Sequence, residues 1–197
     1  MGLGVLLIAF AVPAVGGATG IGGGTGEDEP APVTVEAVTR GGAGQAIIGT
    51  ELTVPVPDPK IGTVVKDLAI PMEDTDAVVR GVAFYRAGPM KGSVVGGVSV
   101  VYDDSASVRA PEGGVADADA IAAMVNPEVR PVVETIGKRT VLGWPDSEVV
   151  PSEGIPQQDR SVSRYVVLLD EGIVMVTFDD VDAQQAEGYL VAVAGAL

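Results

Sequence analysis

The sequence predicts an α+β fold, an antiparallel sheet with helices packed on one face, and three observations lead to it. First, apolar runs of strand length, such as VVRGVAFYR (78–86) and VVGGVSVVY (94–102), stop at turn residues. Second, the stretch from Arg164 to Leu197 reads as strand, DEG turn, strand and helix. Third, one order occurs twice. VVRGVAFYR, GVSVVYDD and ADADAIAAMV match SVSRYVVLL, GIVMVTFDD and AQQAEGYLVAV: strand, strand ending in aromatic-Asp-Asp, then helix. Two ββα units sharing one sheet, with their helices on the same side, would bury the apolar face of each element.

Composition agrees with a packed domain rich in turns. The chain has 197 residues, 47% of them hydrophobic, with Gly 27 and Pro 14. A folded part of roughly 150 residues buries about 68–70% of its unfolded surface and needs neither metal nor disulfide to hold it. The expected division is a signal peptide or membrane anchor over 1–18, a flexible acidic Gly/Pro linker over 19–32, and one domain over 33–197. Leu3–Val15 is an apolar block of signal-peptide length, and the small residues Gly16, Gly17 and Ala18 suit a cleavage site after Ala18. Counted on to Ile21, the uncharged run approaches the length of a membrane span. Glu27-Asp28-Glu29-Pro30 keeps the linker solvated and extended.

Within that N-terminal run, AVGGATGIG (14–22) resembles the TGxxxGIG cofactor turn of short-chain dehydrogenases, in which backbone N–H groups meet a pyrophosphate at a helix N-terminus. Val15 stands where that motif has Thr. GGTGEDEPAP (23–32) cannot form the helix that must follow, and no Tyr has a Lys four residues later. The motif is therefore read as part of the linker.

Past the linker, VTVEAV (33–38) alternates as a strand ended by Gly41-Gly42-Ala43-Gly44. QAIIGTELTVPV (45–56) reads as one or two strands, closed as an edge by Pro55, Pro57 and Pro59. IGTVVKDLAI (61–70) fits a strand or a short helix. Strands are expected over 78–86 and 94–102. An Ala-rich helix over 117–125, N-capped by Asp117 or Asp119, ends at Asn126-Pro127. VVETIGKRTVLGW (132–144) reads as a hairpin about Gly137-Lys138, with a helix through Ile136 as the competitor, and a loop opens at Trp144-Pro145. In the last helix Ala183, Ala186, Leu190, Val193 and Leu197 form one stripe. The hairpin-then-helix ending (164–197) is similar in outline to small exported α+β domains of the PsbP/Mog1-like group.

Charge and missing residue types narrow the function. With 27 acidic against 12 basic residues, net −15, the chain offers no basic footprint for nucleic acid, and membrane contact falls to the N-terminal segment alone. Cys and His are both absent, which removes thiolate chemistry, the Ser-His-Asp triad and His-ligated metals. Two carboxylate pairs are the main polar constellation. Asp103, Asp104, Asp179, Asp180 and Asp182 would make a weak Ca²⁺ site if brought together; caps and turns are the competing reading. No other cofactor is indicated. Arg80, Arg86, Arg160 and Arg164 would make an anion site if they converged. Trp144 fits either core packing or a binding surface.

The resulting expectation is an exported or membrane-tethered acidic domain, extracellular or in the cell envelope, that binds a protein or small-molecule partner without catalysis. A carboxylate-dependent hydrolase and a structural envelope component are the alternatives.

Overall fold

The computed structural model describes residues 38–72, 78–89, 94–104, 121, 125, 128–148 and 161–197. The predicted anchor, the linker and residues 33–37 of the strand expected over 33–38 lie outside them, while Val38, the last residue of that strand, is helical rather than extended and is buried. Among the described residues nine strands occur in the order β1 (Thr39–Ala46), β2 (Thr53–Pro57), β3 (Val64–Pro71), β4 (Val78–Ala87), β5 (Val94–Asp103), β6 (Val132–Ile136), β7 (Arg139–Glu148), β8 (Ser161–Leu168) and β9 (Ile173–Asp179). The helix α1 (Ala183–Ala196) follows. β1 and β2 form a separate antiparallel hairpin. The other seven strands make one antiparallel sheet in the order β3-β4-β5-β9-β8-β7-β6.

Several local expectations are settled by this arrangement. The ambiguous stretch over 61–70 is strand from Val64 onward. β6 and β7 form the hairpin rather than a helix, with Gly137 at φ 61° supplying the left-handed first turn position. β1 runs through the glycines expected to end a strand, at the cost of a register shift between Thr39 and Gly44. β7 continues past Trp144-Pro145 to Glu148, and the proline sits in an irregularity between Trp144 and Ser147 where the ladder does not need its N–H.

The expectation of helices packed on one face, in two ββα units, is corrected. The described residues are mostly strand, with α1 the one helix whose bounds are described. The reason is written in the strands themselves. In β4, Val82 and Phe84 point to one side while Val79 and Ala83 point to the other, and all four are buried. In β8, Val167 is sealed on one side, Val166 and Leu168 on the other. Strands apolar on both sides need cover on both faces. Their near-continuous apolar runs were the signal for this, and a single-faced sheet would have shown clean alternation.

On the first face, α1 and the β1–β2 hairpin close over Val82, Phe84, Val98, Val100, Val174, Val176 and Phe178. Phe178 is central, its ring edge-on to Tyr165 at 5.9 Å and to Tyr189 at 6.2 Å. The Tyr189 hydroxyl donates to the Pro55 carbonyl at 2.6 Å, joining helix to hairpin. Ala186, Leu190 and Val193 of the predicted stripe are buried, whereas Ala183 is exposed and Leu197 half-buried. On the second face Ile121 packs with Leu142, Trp144, Val166, Leu168 and Ile173, and Val125 lies against the same cluster. Ile121 and Val125 are the described residues of the predicted Ala-rich helix, and both are helical. They cover the side opposite α1, so the two supposed units do not share a helical layer.

The strands of the two units do correspond. β5 pairs with β9 so that Val98 faces Phe178, Val100 faces Val176 and Tyr102 faces Val174. Because the sequence match equates 98–104 with 174–180, the ladder is symmetric about Val100 and Val176. The similarity holds for the hairpins and stops at the helices.

Candidate functional site

Register assigns every strand residue to a face, and the second face divides into two halves. One half is apolar: Leu68, Val79, Val101, Met175, Val166 and Leu142. The other half is polar. One row across five strands reads Lys66, Ala83, Ser99, Thr177 and Arg164, and it continues to Trp144. The adjoining row contains Tyr85, Gly97 and Asp179. Ser99, Thr177, Arg164, Tyr85 and Asp179 are half-buried and Lys66 is exposed.

The backbone at this end of the sheet is shaped by close approach. A Cβ on Gly97 would lie 2.1 Å from the Phe84 carbonyl oxygen, and Gly97 has φ 148°. Only glycine lets β5 sit this close to β4. Between Tyr85 and Ala87 the ladder shifts by one residue, and this bulge turns Arg86 toward the corner between β9 and α1. There Arg86 Nη2 donates to the carbonyl oxygens of Val95 and Asp180, and to Asp180 Oδ2 at 3.0 Å. Asp180 takes φ 52°, a left-handed conformation that Asp tolerates better than most residues.

Electrostatics mark the same margin. Burial raises the Tyr85 phenol above its ordinary range, and the Asp179 carboxylate raises it further. Tyr102, at the far end of β5, is raised by burial first and then by Asp104, Glu171 and Asp103. Its hydroxyl donates to the Glu171 carbonyl at 3.4 Å.

The five candidate calcium ligands are not brought together. Asp103 pairs with Ile173 at the start of β9, and Asp179 lies at its end opposite Gly97. Six residues of strand separate the two positions, roughly 20 Å at about 3.3 Å per residue. The C-terminal three also diverge. Asp179 faces the polar half of the second face, Asp180 engages Arg86, and Asp182 N-caps α1 by accepting from the Gln184 and Gln185 amides at 3.0 and 3.3 Å. Among the described residues no group of three or more Asp or Glu side chains is placed to hold a metal ion. The arginines are likewise dispersed. Arg80 lies opposite Tyr102 on the first face, Arg86 is bound at the corner, Arg164 lies in the polar row, and Arg160 is outside the described residues. Trp144 is core: it is 2% exposed, and its Nε1 donates to the Val129 carbonyl at 2.8 Å.

Ser99 and Thr177 escaped the sequence reading, although a signal was present. Each is the polar residue that interrupts an otherwise apolar central strand, VSVVY and VMVTF. Their adjacency depends on β5 pairing with β9, strands far apart in the chain.

The chain matches no protein-family model, no curated protein and no solved structure. Among the described residues no helix is long and apolar enough to cross a membrane.

Proposed function

We propose that this is an exported or membrane-tethered acidic interaction domain, non-catalytic, whose contact surface is the polar half of the second sheet face. The observation that carries the reading is the row Lys66, Ser99, Thr177, Arg164, laid across a rigid antiparallel sheet. Its two cations stand four strand steps apart, roughly 19 Å at about 4.8 Å per step. Two hydroxyls lie between them, and a carboxylate and a phenol form the margin. Groups spread this widely suit hydrogen bonding to an extended partner such as a protein segment. They do not form the converging constellation that acid–base chemistry at one bond requires. Mounting them on central strands fixes their geometry better than loops would.

The test is photo-crosslinking in the intact cell with a benzophenone-bearing residue at position 99 or 177, and a control at Glu187 on the exposed side of α1. A discrete adduct from 99 and 177, and none from 187, is the expected result. Equal adducts from all three positions, or none from the sheet, would count against the face. Export is tested separately by fractionation and N-terminal sequencing. The expected product is either anchored or begins just after Ala18, and intact chain confined to the cytosol contradicts it.

A further inference from the structure

The polar row of the second face carries two cations, and the chain ahead of Val38 carries acids as its only charges. No Lys or Arg precedes Arg40, whereas Glu27, Asp28 and Glu29 are consecutive. Lys66 and Arg164 flank the two hydroxyls of the row, and among the described residues neither makes an ion pair. Arg86 and Arg139, by contrast, are each engaged by an aspartate. The acidic triplet also joins the fold at the right end of the sheet. The Val38 carbonyl accepts from the Asp58 amide at 2.8 Å, and the Asp58 carbonyl accepts from the Gly62 amide at 3.1 Å. The next residue, Thr63, donates its amide to the Tyr85 carbonyl at 2.9 Å. Val38 therefore stands by the end of β4 that bears Tyr85, the end that carries the polar half.

We propose that Glu27-Asp28-Glu29 docks on the polar row of its own chain, so that a partner must displace it to bind. The effect on a partner rests on the contact reading above; the docking itself does not. Nine residue steps separate Glu29 from Val38, a reach of up to about 30 Å at roughly 3.3 Å per residue. Arg164 lies three strand steps from β4, roughly 14 Å at about 4.8 Å per step, so the tether is long enough. Three extended residues cover roughly 10 Å. Laid over Ser99 and Thr177, they bring carboxylates within about two strand steps of Lys66 and one of Arg164. Both hydroxyls can donate to a carboxylate there, while Asp179 in the adjoining row opposes an acid placed beyond them. With 27 acidic against 12 basic residues in the chain, much of the remaining surface repels the triplet. Tethering makes a weak contact sufficient, because a short linker holds its two ends at a millimolar effective concentration.

The chain has no Cys, so engineered pairs report proximity without background. Gly26→Cys is combined, in the whole chain, with Ser99→Cys, Thr177→Cys or Glu187→Cys, and intrachain disulfide formation under mild oxidation is followed by gel mobility. Capture at 99 and 177 should be at least about tenfold faster than at 187. Two charge variants should each remove that excess: Lys66→Glu/Arg164→Glu on the sheet, and Glu27→Gln/Asp28→Asn/Glu29→Gln on the segment. Salt at about 1 M should do the same by screening. Lys60→Glu, close to Val38 but off the row, should leave it intact, and Trp144 emission checks that each variant is folded. Equal capture at all three positions, an excess untouched by both charge variants, or an excess equally lost in Lys60→Glu overturns the inference. The photo-adduct from position 99 separates the two readings, and it should grow when the triplet is neutral. An adduct without capture refutes the docking and leaves the contact face standing; capture without an adduct supports the docking and refutes the contact reading.

Discussion

On β9, Val174, Val176 and Phe178 are sealed under α1 and the β1–β2 hairpin, while Thr177 and Asp179, each beside Phe178 in the chain, lie half-buried on the other face. The same contrast runs through β5 and β8. The first face holds one continuous apolar cluster, tied by two edge-on aromatic contacts and the Tyr189 bond to Pro55. The second face holds two smaller apolar clusters, under Ile121 and around Leu68, and a polar half. The first face thus carries the larger buried cluster, and the second leaves the polar half to which the proposal assigns contact.

Substitutions one residue apart on β9 give the sharpest break of this contrast. Phe178→Ala should cost about 3–5 kcal/mol, because a buried aromatic at the centre of a cluster leaves a cavity. Thr177→Ala should change stability by no more than about 0.5 kcal/mol. Urea unfolding followed by Trp144 emission measures both, since the single Trp is buried and reports its own exposure. Equal costs at the two positions would show that both faces bear the fold alike.

Tyr189→Phe is expected to cost about 1–3 kcal/mol, the penalty for leaving the Pro55 carbonyl without its donor. Tyr189 also gives the first face a pH limit. Burial pushes its phenol far above the ordinary value of 10.0, and Tyr85 is raised as well. A folded-state pKa above the unfolded one means that the protonated form is favoured in the native state. That stability is fully present below about pH 10 and is lost as pH rises toward the folded-state values. Denaturation midpoints measured from pH 8 to 12 should fall above pH 10, and less steeply in the Tyr189→Phe variant.

Smaller still, Asp182→Ala should cost about 1 kcal/mol, because two first-turn amides of α1 lose their acceptor. Thermal unfolding monitored by far-UV circular dichroism reads this change. A cost near zero would mean that packing of Ala186, Tyr189 and Leu190 alone holds the helix start.

The hairpin and helix over 161–196 were legible because their signals are local: alternation, a DEG turn and a helical stripe. The β6–β7 hairpin was legible through Gly137-Lys138. What escaped depends on contacts between distant residues. Whether the β8 run buried one face or two was decided by Ile121, distant in the chain, which covers Val166 and Leu168. Arg86 and Asp180 are 94 residues apart, and nothing near either one names the other. Asp103-Asp104 and Asp179-Asp180 looked equivalent in sequence, yet antiparallel pairing of β5 with β9 sends matching ends of the two strands in opposite directions. The same pairing sets Ser99 beside Thr177 and builds a polar row that no local motif announces.

The central claim, that the polar half serves contact and not folding, is tested most directly on Arg164→Ala/Thr177→Ala. Crosslinking yield from position 99 is read together with the melting temperature. The account predicts a Tm within about 2 °C of the parent, as half-buried surface substitutions allow, and loss of the adduct. An undiminished adduct, or a Tm that falls as far as in Phe178→Ala, would contradict it.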